Sequence, residues 1–128
     1  MDSKKMMKYF LEVFPENEKI YLEHLQEYGE LLQHVFYSDT INIPLFELLK
    51  TNRDDQLIIK YCTVIEQMWQ NGDESVKNVV DVTILEKLSD NSEVWQNFGQ
   101  YISSDFKRYI NEELLKANCA MWHVEKLR

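Results

Sequence analysis

Residues 71–88, NGDESVKNVVDVTILEKL, constrain the fold more than any other part of this chain. The VVDVTI centre has the composition of a strand, while the flanks read as helix ends. Asp73 follows Gly72 and can cap a helix whose first turn carries Glu74. Wound as a helix at about 100° per residue, the segment places Val76, Val79, Val80, Val82, Thr83, Ile84 and Leu88 over well more than half of its circumference. A helix apolar on that many sides must be wrapped by more than one neighbour. The β-branched run lowers helix propensity by only about a few tenths of a kcal/mol per residue, which packing overrides. What remains polar is a narrow strip, Glu74, Asn78 and Asp81, with Leu85 lying beside it.

Punctuation elsewhere is sparse. Three glycines and two prolines serve 128 residues, and the stretches 30–71 and 100–128 hold no glycine. Turn-rich β domains need more of both, so the chain is expected to be all-α. A first helix is predicted from Ser3 to Phe14, ended by Pro15. A second is predicted with Ile20, Leu22, Leu25, Tyr28, Leu31 and Leu32 on its apolar face. Residues 34–43 lose the helical period and read as an extended connection. Pro44 then restarts a short helix with Leu45, Phe46, Leu48 and Leu49.

Between Asp54 and Asn71, the residues Leu57, Ile58, Tyr61, Cys62, Ile65, Met68 and Trp69 form one broad stripe. Gly72 is expected to close that helix in the left-handed conformation, making an αα-hairpin with 71–88. Asp90 or Ser92 would cap a short helix carrying Trp95, Phe98 and Ile102. Ser103 or Ser104 would cap a last long helix through Phe106, Ile110, Leu114, Ala117, Met121 and Val124.

The net charge of −8 is dispersed: residues 1–64 and 65–128 each carry 7 basic and 11 acidic side chains. Such a field disfavours nucleic acid and anionic lipid as partners and speeds encounter with a basic protein. Solubility alone also calls for such a charge. No apolar run approaches the roughly 20 residues that span a bilayer, and the N-terminal stretch shows no secretory h-region. A cytoplasmic protein is therefore expected. Cys62 and Cys119 lack metal or redox spacing and read as core side chains, a disulfide between them being disfavoured in a reducing compartment.

Catalytic material is thin. No phosphate loop, nucleophile elbow or His-Glu-x-x-His is present, so no enzymatic activity and no cofactor are expected. Glu30 and His34 stand four apart, as do metal ligands on one helix face, and His24 with Glu27 makes a second pair. A third ligand at matching spacing is missing. Ser103-Ser104-Asp105 has no neighbouring histidine and reads as a cap. Of the acid pairs Asp54-Asp55, Asp73-Glu74 and Glu112-Glu113, the first two fall at helix starts, where acids complement the dipole. Trp69, Trp95 and Trp122 read as core, although any one of them can instead anchor a partner.

The run from Gly72 to Leu88, an acidic turn and the pair Val76-Lys77 before a branched apolar run, resembles the second helix of a HEAT or armadillo-type repeat. With Glu23–Asp39 (EHLQEYGELLQHVFYSD), it makes the chain similar to a family of small, acidic, uncharacterised bacterial helical proteins. That resemblance implies one compact domain of six or seven helices with a HEAT-like hairpin core. Residues 1–51 would act as a cap, 54–117 as HEAT-like pairs (54–88 and 92–117) and 118–128 as a C-terminal helix extension. It also implies a non-enzymatic protein-binding module of the immunity type, neutralising a bacterial toxin by direct binding, with Glu74, Asn78, Asp81 and Leu85 offered to a basic partner. A structural or regulatory adaptor is the alternative, and a small-molecule or metal binder at His24, Glu30 and His34 is a third reading.

Overall fold

The computed structural model describes residues 1–51, 53–117 and 124–128. Among these residues there are seven helices and no strand: α1 (Ser3–Val13), α2 (Glu18–Tyr28), α3 (33–51), α4 (Asp55–Asn71), α5 (74–88), α6 (Ser92–Gly99) and α7 (104–117). The expected all-α class and single domain hold.

Short polar side chains start most of the helices. Asp2, Asp54, Asp73, Asn91 and Ser103 each accept a backbone N–H from the residue three further on. The cap of α6 is thus Asn91, between the two residues predicted for it. Left-handed closure falls at Gly29, at φ 75°, which ends α2. Gly72, expected to play that part, is extended at φ −70° and ψ 152°. It is glycine for another reason: a Cβ there would lie 2.4 Å from the Met68 carbonyl oxygen and 2.5 Å from Val76 Cγ1.

α5 is the inner rod. α1, α3, α4 and α6 all pack on it, and Val76, Val79, Val80, Ile84, Leu85 and Leu88 have no exposed surface. Burying six such side chains is worth roughly 1.5–3 kcal/mol each, far more than the helix-propensity penalty of the valines. α4 links two aromatic clusters. Towards its start Tyr61 stacks on Phe14, at 4.4 Å between ring centroids, beside Phe10, Phe36 and Tyr37. Towards its end Trp69 stacks on Phe106 at 4.8 Å.

Two predictions are corrected by one device. α3, α5 and α7 each contain a single π turn, at Ser38–Asn42, Val80–Ile84 and Ile110–Leu114. A π turn takes up one extra residue and breaks the 3.6-residue period. Residues 34–43, read as an extended connection, are therefore helical within α3, with apolar phases before and after the turn that do not match. The widened turn ends just before Pro44, where the proline ring would otherwise meet the carbonyl four residues back. In α5 the extra residue rotates the later part of the helix back by about 100°. Leu85 comes round to the inward face instead of standing beside Glu74, and is fully buried.

The apolar face of α2 is also corrected. Leu31 and Leu32 lie beyond its end, and Ile20, Leu22 and Tyr28 are exposed. The inward stripe is Tyr21, His24 and Leu25, carried largely by rings that an aliphatic count overlooks. Of the helix extension predicted at 118–128, residues 118–123, with Cys119, Met121, Trp122 and His123, lie outside the described residues. Residues 124–128 are not helical, because side chains of α6 and α7 occupy their backbone groups.

Candidate functional site

The strip predicted on α5 divides. Glu74 and Asn78 are exposed, Asp81 is half-buried and Leu85 is internal. Leu85 therefore leaves the surface site. Asp81 sits in the π turn of α5 and meets Tyr109, the residue before the π turn of α7. The Tyr109 hydroxyl lies 2.9 Å from both Asp81 oxygens and donates to the carboxylate. Burial lifts the Asp81 carboxyl above its ordinary value, while the Tyr109 hydrogen bond and the Lys77 charge pull it down less strongly. The Tyr109 phenol is pushed up by burial and then by Asp81.

Tyr109 forms one wall of a recess of about 400 Å³, lined also by Trp69, Asp105, Arg108, Glu112 and Glu113. Trp69 stands 5.4 Å from Tyr109 between centroids, tilted by 37°, and with Phe106 beneath it is braced by aromatic contact. Arg108 pairs with Asp105, both largely exposed. Glu112 and Glu113 come from the π turn of α7. Three carboxylates and two aromatic rings against one guanidinium make a surface suited to an incoming cation. The sequence reading missed Trp69, Tyr109 and the acid pair as one site. Glu112 and Glu113 do stand three and four residues after Tyr109, the spacing of one helix face. That signal alone does not reach Trp69, which lies on α4, and the π turn of α7 shifts the phase from which it would be read.

The other candidates are dispersed. His24 is buried, its Nε2 accepting the Leu32 N–H at 2.9 Å, and His34 Nδ1 bonds Thr83 Oγ1 at 2.6 Å. Glu30 lies in the turn after Gly29, so the helix face that it was to share with His34 is broken. Among the described residues, no group of three or more His, Cys, Asp or Glu side chains is placed to hold a metal. Ser103 caps α7 and is held by Glu66, whose Oε2 accepts its N–H at 3.1 Å. Asp54 and Asp73 are caps, and Asp55 accepts the Tyr101 hydroxyl at 2.6 Å. Trp95 is fully buried, as its core reading required, whereas Trp69 reaches the recess.

Fold and recess together define a small all-α domain with an acidic, aromatic-walled surface site. Residues 7–117 match a family described as a domain of unknown function, DUF7674. The chain belongs to that family. No curated protein and no solved structure matches it. Among the described residues no helix is long and apolar enough to cross a membrane.

Proposed function

We propose that this chain is a non-enzymatic protein-binding module that receives a basic partner on Glu74, Asn78 and Asp81 and in the adjoining recess of Trp69, Tyr109, Glu112 and Glu113. The observation that carries the reading is Asp81. A half-buried carboxylate held by one tyrosine hydroxyl is costly to keep charged, and such a group beside a cleft marks a functional surface. A partner's arginine or lysine would add a counter-charge to the weak one that Lys77 supplies, and the overall −8 would speed its approach. Within that class the chain is read as an immunity protein that covers a bacterial toxin, on the resemblance of residues 72–88 to the second helix of a HEAT-type repeat and on its dispersed acidity.

Co-expression with the product of the adjacent gene tests this reading, scored by rescue of growth and by co-purification. Rescue with a complex supports immunity, a complex without toxicity supports the adaptor alternative, and neither outcome removes both. Charge reversal of Glu74 and Asp81 to lysine tests the surface. We expect at least about tenfold weaker binding and a flatter salt dependence; unchanged affinity and salt dependence would place the partner on another face.

A further inference from the structure

The cleft between α6 and α7 already holds a peptide. Residues 124–128 lie in it with their main chain read by side chains. Trp95 Nε1 donates to the Glu125 carbonyl at 2.8 Å. Gln96 donates to the Lys126 carbonyl at 2.8 Å and accepts the Arg128 N–H at 3.1 Å. On the opposite side Asn111 donates to the Leu127 carbonyl at 2.9 Å and accepts the Leu127 N–H at 2.8 Å. Lys107 Nζ adds a bond to the Arg128 carbonyl at 2.8 Å.

Two amide side chains thus grip alternate peptide groups from two sides, the pattern that an extended segment offers. Leu127 is the one fully seated residue of the segment, with Val124 partly buried against the core. Leu127 is 4% exposed and presses against Gly99, where an added Cβ would stand 3.2 Å from Leu127 Cδ2. The side chains of Glu125, Lys126 and Arg128 face solvent to a large extent.

We propose that this cleft is a peptide-binding site, specific for an extended backbone with one leucine. Residues 124–128 are its resident ligand, and the same segment presented by a second copy of the chain competes for it. Most of the recognition is carried by main-chain groups, which any extended peptide presents. Selectivity then rests on the leucine seat and on the glutamate two positions before it, whose carboxylate accepts from Ser92 Oγ at 2.5 Å and from Gln96 Nε2 at 3.1 Å. The role of this cleft does not depend on that of the acidic recess.

The test uses the full chain with Leu127→Asp, which unseats the resident anchor, titrated calorimetrically with acetyl-Val-Glu-Lys-Leu-Arg-amide. Saturable one-to-one binding is expected. Binding to the unaltered chain should be weaker by about tenfold or more, since its own segment competes at an effective concentration on the order of millimolar. The same peptide with aspartate for leucine should give no binding, and adding Asn111→Ala to L127D should abolish binding with helicity retained by circular dichroism. A folded L127D that takes no peptide, or takes both peptides alike, overturns the proposal, as does unchanged binding after Asn111→Ala. Should L127D fail to fold, the unaltered chain supplies the second measurement. Millimolar leucine peptide must then displace the resident segment and move the Leu127 backbone amide resonance towards its unbound position, and a resonance that stays in place overturns the proposal equally.

Discussion

Asp81 shows how one side chain can weaken a fold and serve a surface. Burial raises its carboxyl above the ordinary value of 3.8. Between the ordinary and the raised value the folded chain binds more protons than the unfolded one, so stability falls as pH rises through that window and stays lower above it. Asp81→Asn keeps the shape and an acceptor for Tyr109. It should raise stability at pH 7 by about 1 kcal/mol or less, with the gain vanishing at pH 3, where both forms are neutral. Thermal melts at the two pH values check this, and a variant destabilised at pH 7 would contradict it. The same substitution should weaken binding of a basic partner, the usual trade between stability and function.

At the scale of elements, much was legible where local chemistry and tertiary packing agree. Asp73 after Gly72 announced α5, the stripe from Leu57 to Trp69 announced α4, and Ser103 announced α7. The misreadings at 34–43 and at Leu85 share a physical cause: a π turn leaves no signature in residue type, only a break of phase that a fixed period reads as loop or as the wrong face. The site suffered equally. Glu74, Asn78 and Asp81 could be read from α5 alone, but Trp69 and Tyr109 join them only through contacts between helices distant in sequence. The π turn makes a sharp prediction. Deleting Val82, exposed within it, should convert the turn to regular helix and leave both flanks in register. Deleting Asn78, also exposed, should rotate one flank by about 100° and cost about 3 kcal/mol or more through unseated valines. Urea unfolding distinguishes them: similar midpoints for the two deletions would refute this account of α5.

Over the whole molecule, α4 ties the aromatic cluster of α1 and α3 to that of α6 and α7, so the core should open as one body. Cys62, buried on α4, reports on this. Burial, with Glu66 adding to it, pushes its thiol up to about 12, and only the thiolate reacts readily. In a Cys119→Ser background its labelling at pH 8 should be slower than in urea-unfolded chain by several orders of magnitude, set by the rarity of global opening, and should quicken in step with global unfolding. Labelling at the unfolded rate would show a core that opens locally around α4.

The placement of two indoles gives this domain a built-in optical gauge. Trp95 lies dry beneath the segment it bonds, while Trp69 is half-exposed in the acidic recess. Their emission should differ in colour, with acrylamide quenching the redder ring first. Once Trp122 is changed to phenylalanine, a single spectrum reads both faces of the molecule, and each change in light names the side on which something has arrived.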